Sequence, residues 1–176
     1  GGVKLAHALD AFGVSVSSRT AIDIGASTGG FTDVLLRRGA TRVAAVDVGH
    51  GQLAWKLRQD PRVVVLERLN ARGLDRSMLP PELHNVDVIT IDVSFISLTL
   101  ILTQIPPLLT GSSDVIALVK PQFEAGREEV GKRGVVTDEA VHQRVVEHIT
   151  SSAGQIGLRR VSVVPSPITG TEGNQE

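Results

Sequence analysis

The sequence predicts an α/β fold, an open and mostly parallel sheet with helices on both faces, and three observations carry that prediction. Short runs of β-branched and aliphatic residues alternate along the chain with stretches whose apolar residues recur at helical spacing, the pattern of successive strand-helix units. Aromatic residues make up 3% of the 176 while 41% are hydrophobic, so the core must be built from Val, Ile, Leu and Ala, as buried parallel strands are. Finally, Thr20-Ala21-Ile22 leads into Asp23-Ile24-Gly25-Ala26-Ser27-Thr28-Gly29-Gly30-Phe31 and then a helical pattern over residues 32–38, which reads as strand, glycine turn, helix.

The first segment, residues 4–12, carries Leu5, Ala8, Leu9 and Phe12 on one helical face, with Gly13 as a stop. Lys4 falls in its first turn, where the helix dipole disfavours a cation; a task for it stands beside the plainer reading of a solvated surface lysine. Phe31, Val34 and Leu35 line the next helix, which Gly39 ends before a second strand at residues 43–46. Gly49-His50-Gly51 forms a loop with His50 solvated, and residues 53–58 a short helix whose Trp55 is expected to pack. Residues 63–66 are the third strand, followed by Asn70-Ala71 in a loop. Pro80-Pro81 breaks the chain before the fourth strand, residues 86–91, which ends in Asp92-Val93-Ser94-Phe95-Ile96-Ser97.

An apolar helix over residues 98–105 stops at Pro106-Pro107, and a fifth strand over residues 115–119 delivers Lys120-Pro121 to the same rim. Residues 123–135 form a charged, glycine-punctuated loop, expected to be mobile. The helix over residues 138–152 buries Val141, Val145, Val146 and Ile149 and turns His142 and His148 to solvent. Residues 160–164 read as a sixth strand, and the glycine-rich stretch over residues 170–176 leads towards a further one.

Glycines at a strand-to-helix turn permit backbone angles closed to other residues and let the main chain approach a ligand, while the helix offers unpaired N–H groups. The dinucleotide fingerprint requires a second glycine to clear the pyrophosphate, and Ser27 stands there; a phosphate loop requires Gly-Lys-Ser/Thr, which is missing. A ligand without phosphates, such as S-adenosylmethionine, fits better, with the turn for its amino-acid end and a carboxylate for its ribose. Asp47, roughly 20 residues on, is where the ribose carboxylate would lie.

The candidate cofactor-binding set is therefore Asp23, Gly25, Ser27, Thr28, Gly29, Gly30, Phe31, Asp47 and Val48, with Asn70 and Ala71 positioned to meet a base edge. A ligand-free glycine turn and a turn-forming Asn70 are the alternatives. Asp92, at the carboxyl end of a strand beside the switch point, is a site residue by position and belongs to the cofactor-binding set as well. Lys120 follows a buried strand directly, and a poorly solvated cleft penalises an ammonium, which favours a base; a rim lysine paired with Asp92 is the other reading.

The formal net charge of −1 argues against a uniformly basic surface but allows a basic rim around a cleft. With no cysteine there is no disulfide, thiol catalysis or Cys-ligated metal in these residues, no histidine has metal-ligand company, and a reducing cytoplasmic setting is compatible. No stretch reaches the roughly 20 apolar residues of a membrane span. Gly1 opens the chain without a Met and Glu176 stops where a strand is expected to begin, so the reading is one domain of a longer protein.

Gly1-Gly2-Val3-Lys4-Leu5, residues 23–31, Asp47-Val48-Gly49 with Gln52-Leu53-Ala54-Trp55, residues 92–97, Lys120-Pro121-Gln122-Phe123-Glu124 and Gly173-Asn174-Gln175-Glu176 together resemble the TlyA family. These are the so-called hemolysins that are similar to ribosomal RNA 2′-O-methyltransferases. The resemblance implies a Rossmann-like methyltransferase fold, S-adenosylmethionine as cofactor, and ribosomal RNA rather than DNA as partner, with cytidine riboses as targets. It also implies the Lys-Asp-Lys-Glu tetrad of FtsJ-like enzymes, on Lys4, Asp92, Lys120 and Glu176, with Glu172 a rival for the last place. An N-terminal RNA-binding domain of ribosomal-protein type would lie outside this chain. Competing classes are a membrane-lysing hemolysin, for which no span or long basic amphipathic helix is found, a non-catalytic S-adenosylmethionine- or RNA-binding module, and a dehydrogenase.

Overall fold

The computed structural model describes residues 1–160 and 162–176. Five strands, β1 (Thr20–Ile24), β2 (Arg42–Val46), β3 (Val63–Leu66), β4 (Val86–Ile91) and β5 (Leu109–Ala117), form one sheet in the order β3-β2-β1-β4-β5. All four pairings are parallel. The chain moves outward from β1 to β3 and then returns to lay β4 on the other side of β1, so the carboxyl ends of β1 and β4 flank a switch point.

Alternation along each strand builds two cores. Ala21, Val43, Ala45 and Val88 face α1 (Gly2–Phe12), α2 (Gly30–Arg37) and α3 (Trp55–Arg58), which contribute Leu5, Leu9, Leu35 and Leu57. Ile22, Ile24, Ala44, Val46, Ile89 and Ile91 face the other way, towards α4 (Leu98–Leu102) and α5 (Glu139–Gln155), with Ile101, Val141, Val145 and Ile149. Helices thus cover both faces, as the aliphatic composition requires. Local signals set the ends: Gly13 takes the left-handed conformation after α1, and Asp138 caps α5 by accepting from the Ala140 N–H at 2.9 Å.

The structure corrects five details. β5 begins at Leu109, so the polar residues 110–114 belong to an edge strand whose ladder slips between Val86 and Val88; Leu118 and Val119 lie beyond it. Arg19 anchors this edge, bonding the Asp114 carboxylate at 2.9 Å and the Asp87 carbonyl at 2.8 Å. α4 ends at Leu102 because residues 103–105 tighten into turns before Pro106. His142 does not face solvent: its Nε2 lies 2.8 Å from the Val136 carbonyl oxygen. Trp55 does not pack, being 72% exposed. The strand expected over residues 160–164 includes Val161, which lies outside the described residues, and residues 160 and 162–164 are not in a strand.

Candidate active site

The glycine turn is shaped by its neighbours before any ligand arrives. The Gly25 and Ala26 N–H groups both donate to the Val46 carbonyl, at 2.8 and 3.0 Å, which lashes the turn to β2. Gly25 has φ +84°, and a Cβ there would fall 2.0 Å from the Asp92 carbonyl oxygen; at Gly29, φ +104°, it would fall 2.2 Å from Leu57 Cδ1. These two glycines let the end of β4 and the leucines of the α3 segment close on the turn. Ser27 and Thr28 are the exposed residues of the turn and the ones offered to a ligand, with Ser27 itself at φ +52°. Gly30 packs against the start of α1, where its Cβ would meet the Gly2 nitrogen at 2.8 Å.

Asp47 lies just past β2, and its Oδ2 accepts from the Ser27 N–H at 2.7 Å. A carboxylate fixed by backbone at the mouth of the turn retains lone pairs for two vicinal hydroxyls, which is the requirement of a nucleoside ribose. Val48, 72% exposed, follows it. Asn70 takes the turn-forming role: its Oδ1 accepts from the Arg72 N–H at 3.0 Å, which leaves its amide N–H groups facing outward on an exposed residue. Ala71 beside it is half-buried against the core.

Asp23 is placed differently from expectation. It lies within β1 rather than at its end and is fully buried, its carboxylate accepting from Thr32 Oγ1 at 2.7 Å and Thr90 Oγ1 at 3.1 Å. Burial pushes its carboxyl up to about 6, with the two threonine bonds opposing that shift. Its contacts therefore tie β1, β4 and α2 together underneath the turn, and it presents no surface to a ligand. Phe31, 5% exposed, is likewise a packing residue, in contact range of Gly1.

Two lysine-carboxylate pairs stand at the same rim. Lys120 Nζ lies 2.7 Å from Asp92 Oδ1 and donates to Ser94 Oγ at 3.0 Å. Lys4 Nζ lies 2.5 Å from Glu176 Oε2, across 172 residues of chain. The lysine side chains are 12% and 13% exposed, Asp92 23% and Glu176 3%, so the Lys4–Glu176 pair is shielded from bulk water and the Lys120–Asp92 pair partly so, where a fully exposed ion pair would be weakly held. Gln122, two residues after Lys120, supports the second pair: its Nε2 donates to Glu176 Oε1 at 3.1 Å. Glu172 is exposed and has no part in this arrangement.

Sequence reasoning missed the supporting residues. Glu124 accepts from the Leu98 N–H and the Ser97 hydroxyl, each at 2.7 Å, fastening the Lys120 segment to the loop after β4. Phe123 stacks obliquely on Phe95, with ring centroids 4.9 Å apart, and Phe95 is 89% exposed at φ +63°, a strained conformation for a bulky residue. Ser94, Gln122, Phe123 and Glu124 all lie inside the motifs that contain Asp92 and Lys120, yet only the fold shows what each one touches. Among the described residues no group of three or more His, Cys, Asp or Glu is arranged to hold a metal ion, and no helix is long and apolar enough to cross a membrane.

The profile of the FtsJ-like methyltransferases matches residues 1–176. The chain belongs to the FtsJ-like methyltransferase family. It is 49% identical over 176 residues to the 16S/23S rRNA (cytidine-2′-O)-methyltransferase TlyA of Mycobacterium tuberculosis, covering all of this chain and 65% of that protein. A Streptococcus thermophilus structure carrying a hemolysin label superposes with a TM-score of 0.95 at 48% identity, over 99% of this chain and 62% of that one. An S-adenosylmethionine-dependent methyltransferase from Mesorhizobium loti shares the fold, with a TM-score of 0.54 at 17% identity over 68% of this chain and 55% of its own. The FtsJ-like chain described here thus spans about two thirds of the curated relative it matches.

Proposed function

We propose that this chain is the catalytic domain of an S-adenosylmethionine-dependent ribosomal RNA 2′-O-methyltransferase, acting on cytidine. The observation that carries the proposal is the two lysine-carboxylate pairs, Lys120–Asp92 and Lys4–Glu176, the second also held by Gln122, at the switch point beside the glycine turn that Asp47 binds. Family membership and the TlyA relative support the same reading. The residues fit the cofactor: Ser27 and Thr28 offer exposed polar groups at the turn, Asp47 offers lone pairs for ribose hydroxyls, and Val48 and Asn70 offer an apolar face and amide donors to a base. When bound, S-adenosylmethionine supplies a methyl group on a cationic sulfonium.

A ribose 2′-hydroxyl is a poor nucleophile while it keeps its proton. In the proposed mechanism the neutral Lys120 amine takes that proton, leaving the ribose oxygen with the electron pair that would form the bond to the methyl carbon as the carbon–sulfur bond breaks and its pair departs on the sulfur, now a neutral thioether. Asp92 and Ser94 hold Nζ in place, and Asp92 stabilises the ammonium that the transfer creates. Lys4, oriented by Glu176, offers a positive charge to the developing oxyanion and helps to fix the ribose. The exposed face of Phe95 gives an unstacked base a surface at the same rim. RNA partners, cytoplasmic location and an additional RNA-binding domain belong to this proposal.

The test is incubation of the protein, as this chain and with its remaining domains, with S-adenosylmethionine and unmodified ribosomal RNA, followed by nuclease digestion and nucleoside mass spectrometry. New 2′-O-methylcytidine supports the proposal. Methylation on a base, or on no nucleoside with a folded and cofactor-bound full protein, contradicts it.

A further inference from the structure

We propose that Trp55 is a stacking platform for an unpaired nucleotide of the RNA that flanks the reacting one; the inference rests on the RNA-methylating reading above. The short helix α3 shows two opposite faces. Trp55 turns outward, while Leu57, two residues on and so about 200° round the helix, is 4% exposed and turns inward against Gly29, as does Leu53, 5% exposed, in the loop before the helix. An indole 72% exposed is unusual for so large an apolar group. The sole aromatic pair among the described residues, Phe95 with Phe123, does not involve it.

Trp55 is exposed on a fixed support. The Ala54 N–H donates to the Thr28 carbonyl at 3.0 Å, joining the start of α3 to the exposed part of the glycine turn, and Arg58 Nε donates to the Leu53 carbonyl at 3.1 Å. The platform therefore belongs to the same rim as Asp47 and Asp92. Val48, Trp55 and Phe95, three of the exposed large apolar residues, all lie in loops or helix starts that follow the carboxyl ends of strands.

The surroundings choose the partner. Asp33 is shared by two cations, Arg37 at 2.8 Å and Lys56 at 4.0 Å, so this group, which adjoins Trp55 through Lys56, carries one net positive charge. The residues beside the indole in sequence, Gln52, Ala54 and Lys56, are exposed and are not large apolar groups, so the adjoining chain adds little of the apolar surface that a protein partner would cover. A π-face next to one net positive charge matches a nucleobase with its phosphate, and stacking on an aromatic side chain works with any base.

The chain contains one tryptophan and no tyrosine, so its indole emission reports on Trp55 alone. Deproteinised ribosomal RNA is titrated into the protein while emission is followed, with a parallel titration of S-adenosylmethionine. Any tryptophan in the remaining domains is removed by subtracting the W55F signal. The expected results are quenching by RNA and none by S-adenosylmethionine. W55A should raise the RNA concentration for half-saturation about tenfold, W55F should recover most of that loss, and S-adenosylmethionine affinity should stay within about twofold of wild type. Emission that RNA leaves unchanged, quenching by S-adenosylmethionine alone, or W55A with wild-type RNA affinity overturns the inference. RNA affinity is read by filter retention apart from methyl transfer, so a wild-type protein that binds RNA without methylating it counts against the catalytic reading and leaves the platform to be judged on the binding data.

Discussion

Replacing Asp23 by Asn removes a negative charge from a fully buried position while keeping the shape of the side chain. Burial raises this carboxyl from its ordinary 3.8 to about 6; the bonds from Thr32 and Thr90 oppose the rise and the charge of Asp92 adds to it. The folded protein therefore keeps a proton that the unfolded chain has released, and stability falls as pH rises from the unfolded value through the folded one. At about 1.36 kcal/mol for each pH unit between the two values, the loss approaches about 3 kcal/mol at neutral pH.

The D23N protein has no proton to lose there, and its amide can still pair with both threonine hydroxyls. Urea unfolding across this range should show D23N and wild type nearly equal at about pH 4 and D23N more stable by about 2–3 kcal/mol at about pH 8. Because Asp23 offers no surface to a ligand, S-adenosylmethionine affinity should change by less than about threefold, a shift below 1 kcal/mol. A D23N protein less stable than wild type at pH 8 would refute the electrostatic argument. Loss of cofactor affinity in a folded D23N would refute the placement of Asp23 away from the ligand.

The remaining predictions concern the rim. G25A should be destabilised by more than about 2 kcal/mol, since φ +84° is strained for alanine and its Cβ would press on the Asp92 carbonyl, read as a lower urea midpoint. D47A should weaken S-adenosylmethionine by about 10- to 100-fold in calorimetry with little change in unfolding midpoint, the range expected for bonds to a charged group. E124A removes the acceptor for Leu98 N–H and Ser97 hydroxyl and should cost about 1–3 kcal/mol of stability together with a slower methyl-transfer rate, because the Lys120 segment loses its tie to the loop after β4.

Much of the fold could be read from the sequence because its signals are local. β2, β3 and β4 are aliphatic runs, and α1, α2 and α5 carry apolar residues at helical spacing with a stop or cap beside them. What escaped depends on contacts between distant residues. Asp23 reads as a strand-end carboxylate until Thr90, 67 positions away, is seen to donate to it. Residues 110–114 look like a polar loop, and they form a strand because Arg19 and the neighbouring β4 hold that edge. Trp55 looks like core by size, yet Leu57 takes the inward face of α3 and Leu53, in the loop before it, is buried as well.

The site divides in the same way. Asp47, Asp92 and Lys120 stand out by position at strand ends, and the structure brings Asp92 and Lys120 together at 2.7 Å. Lys4 had only a weak signal, an unfavourable place at a helix start, and Glu176 none apart from the family resemblance. Their pairing is a contact between the two ends of the chain, with no periodicity or spacing to announce it.

The most direct test of the proposed chemistry is K120A, assayed by single-turnover transfer of a labelled methyl group to ribosomal RNA alongside calorimetric titration of S-adenosylmethionine. The account predicts a rate reduced by at least about a hundredfold, as for loss of a general base, with cofactor affinity within about twofold of wild type. A near-normal transfer rate, or a folded K120A that no longer binds S-adenosylmethionine, would contradict the assignment of Lys120 as the base.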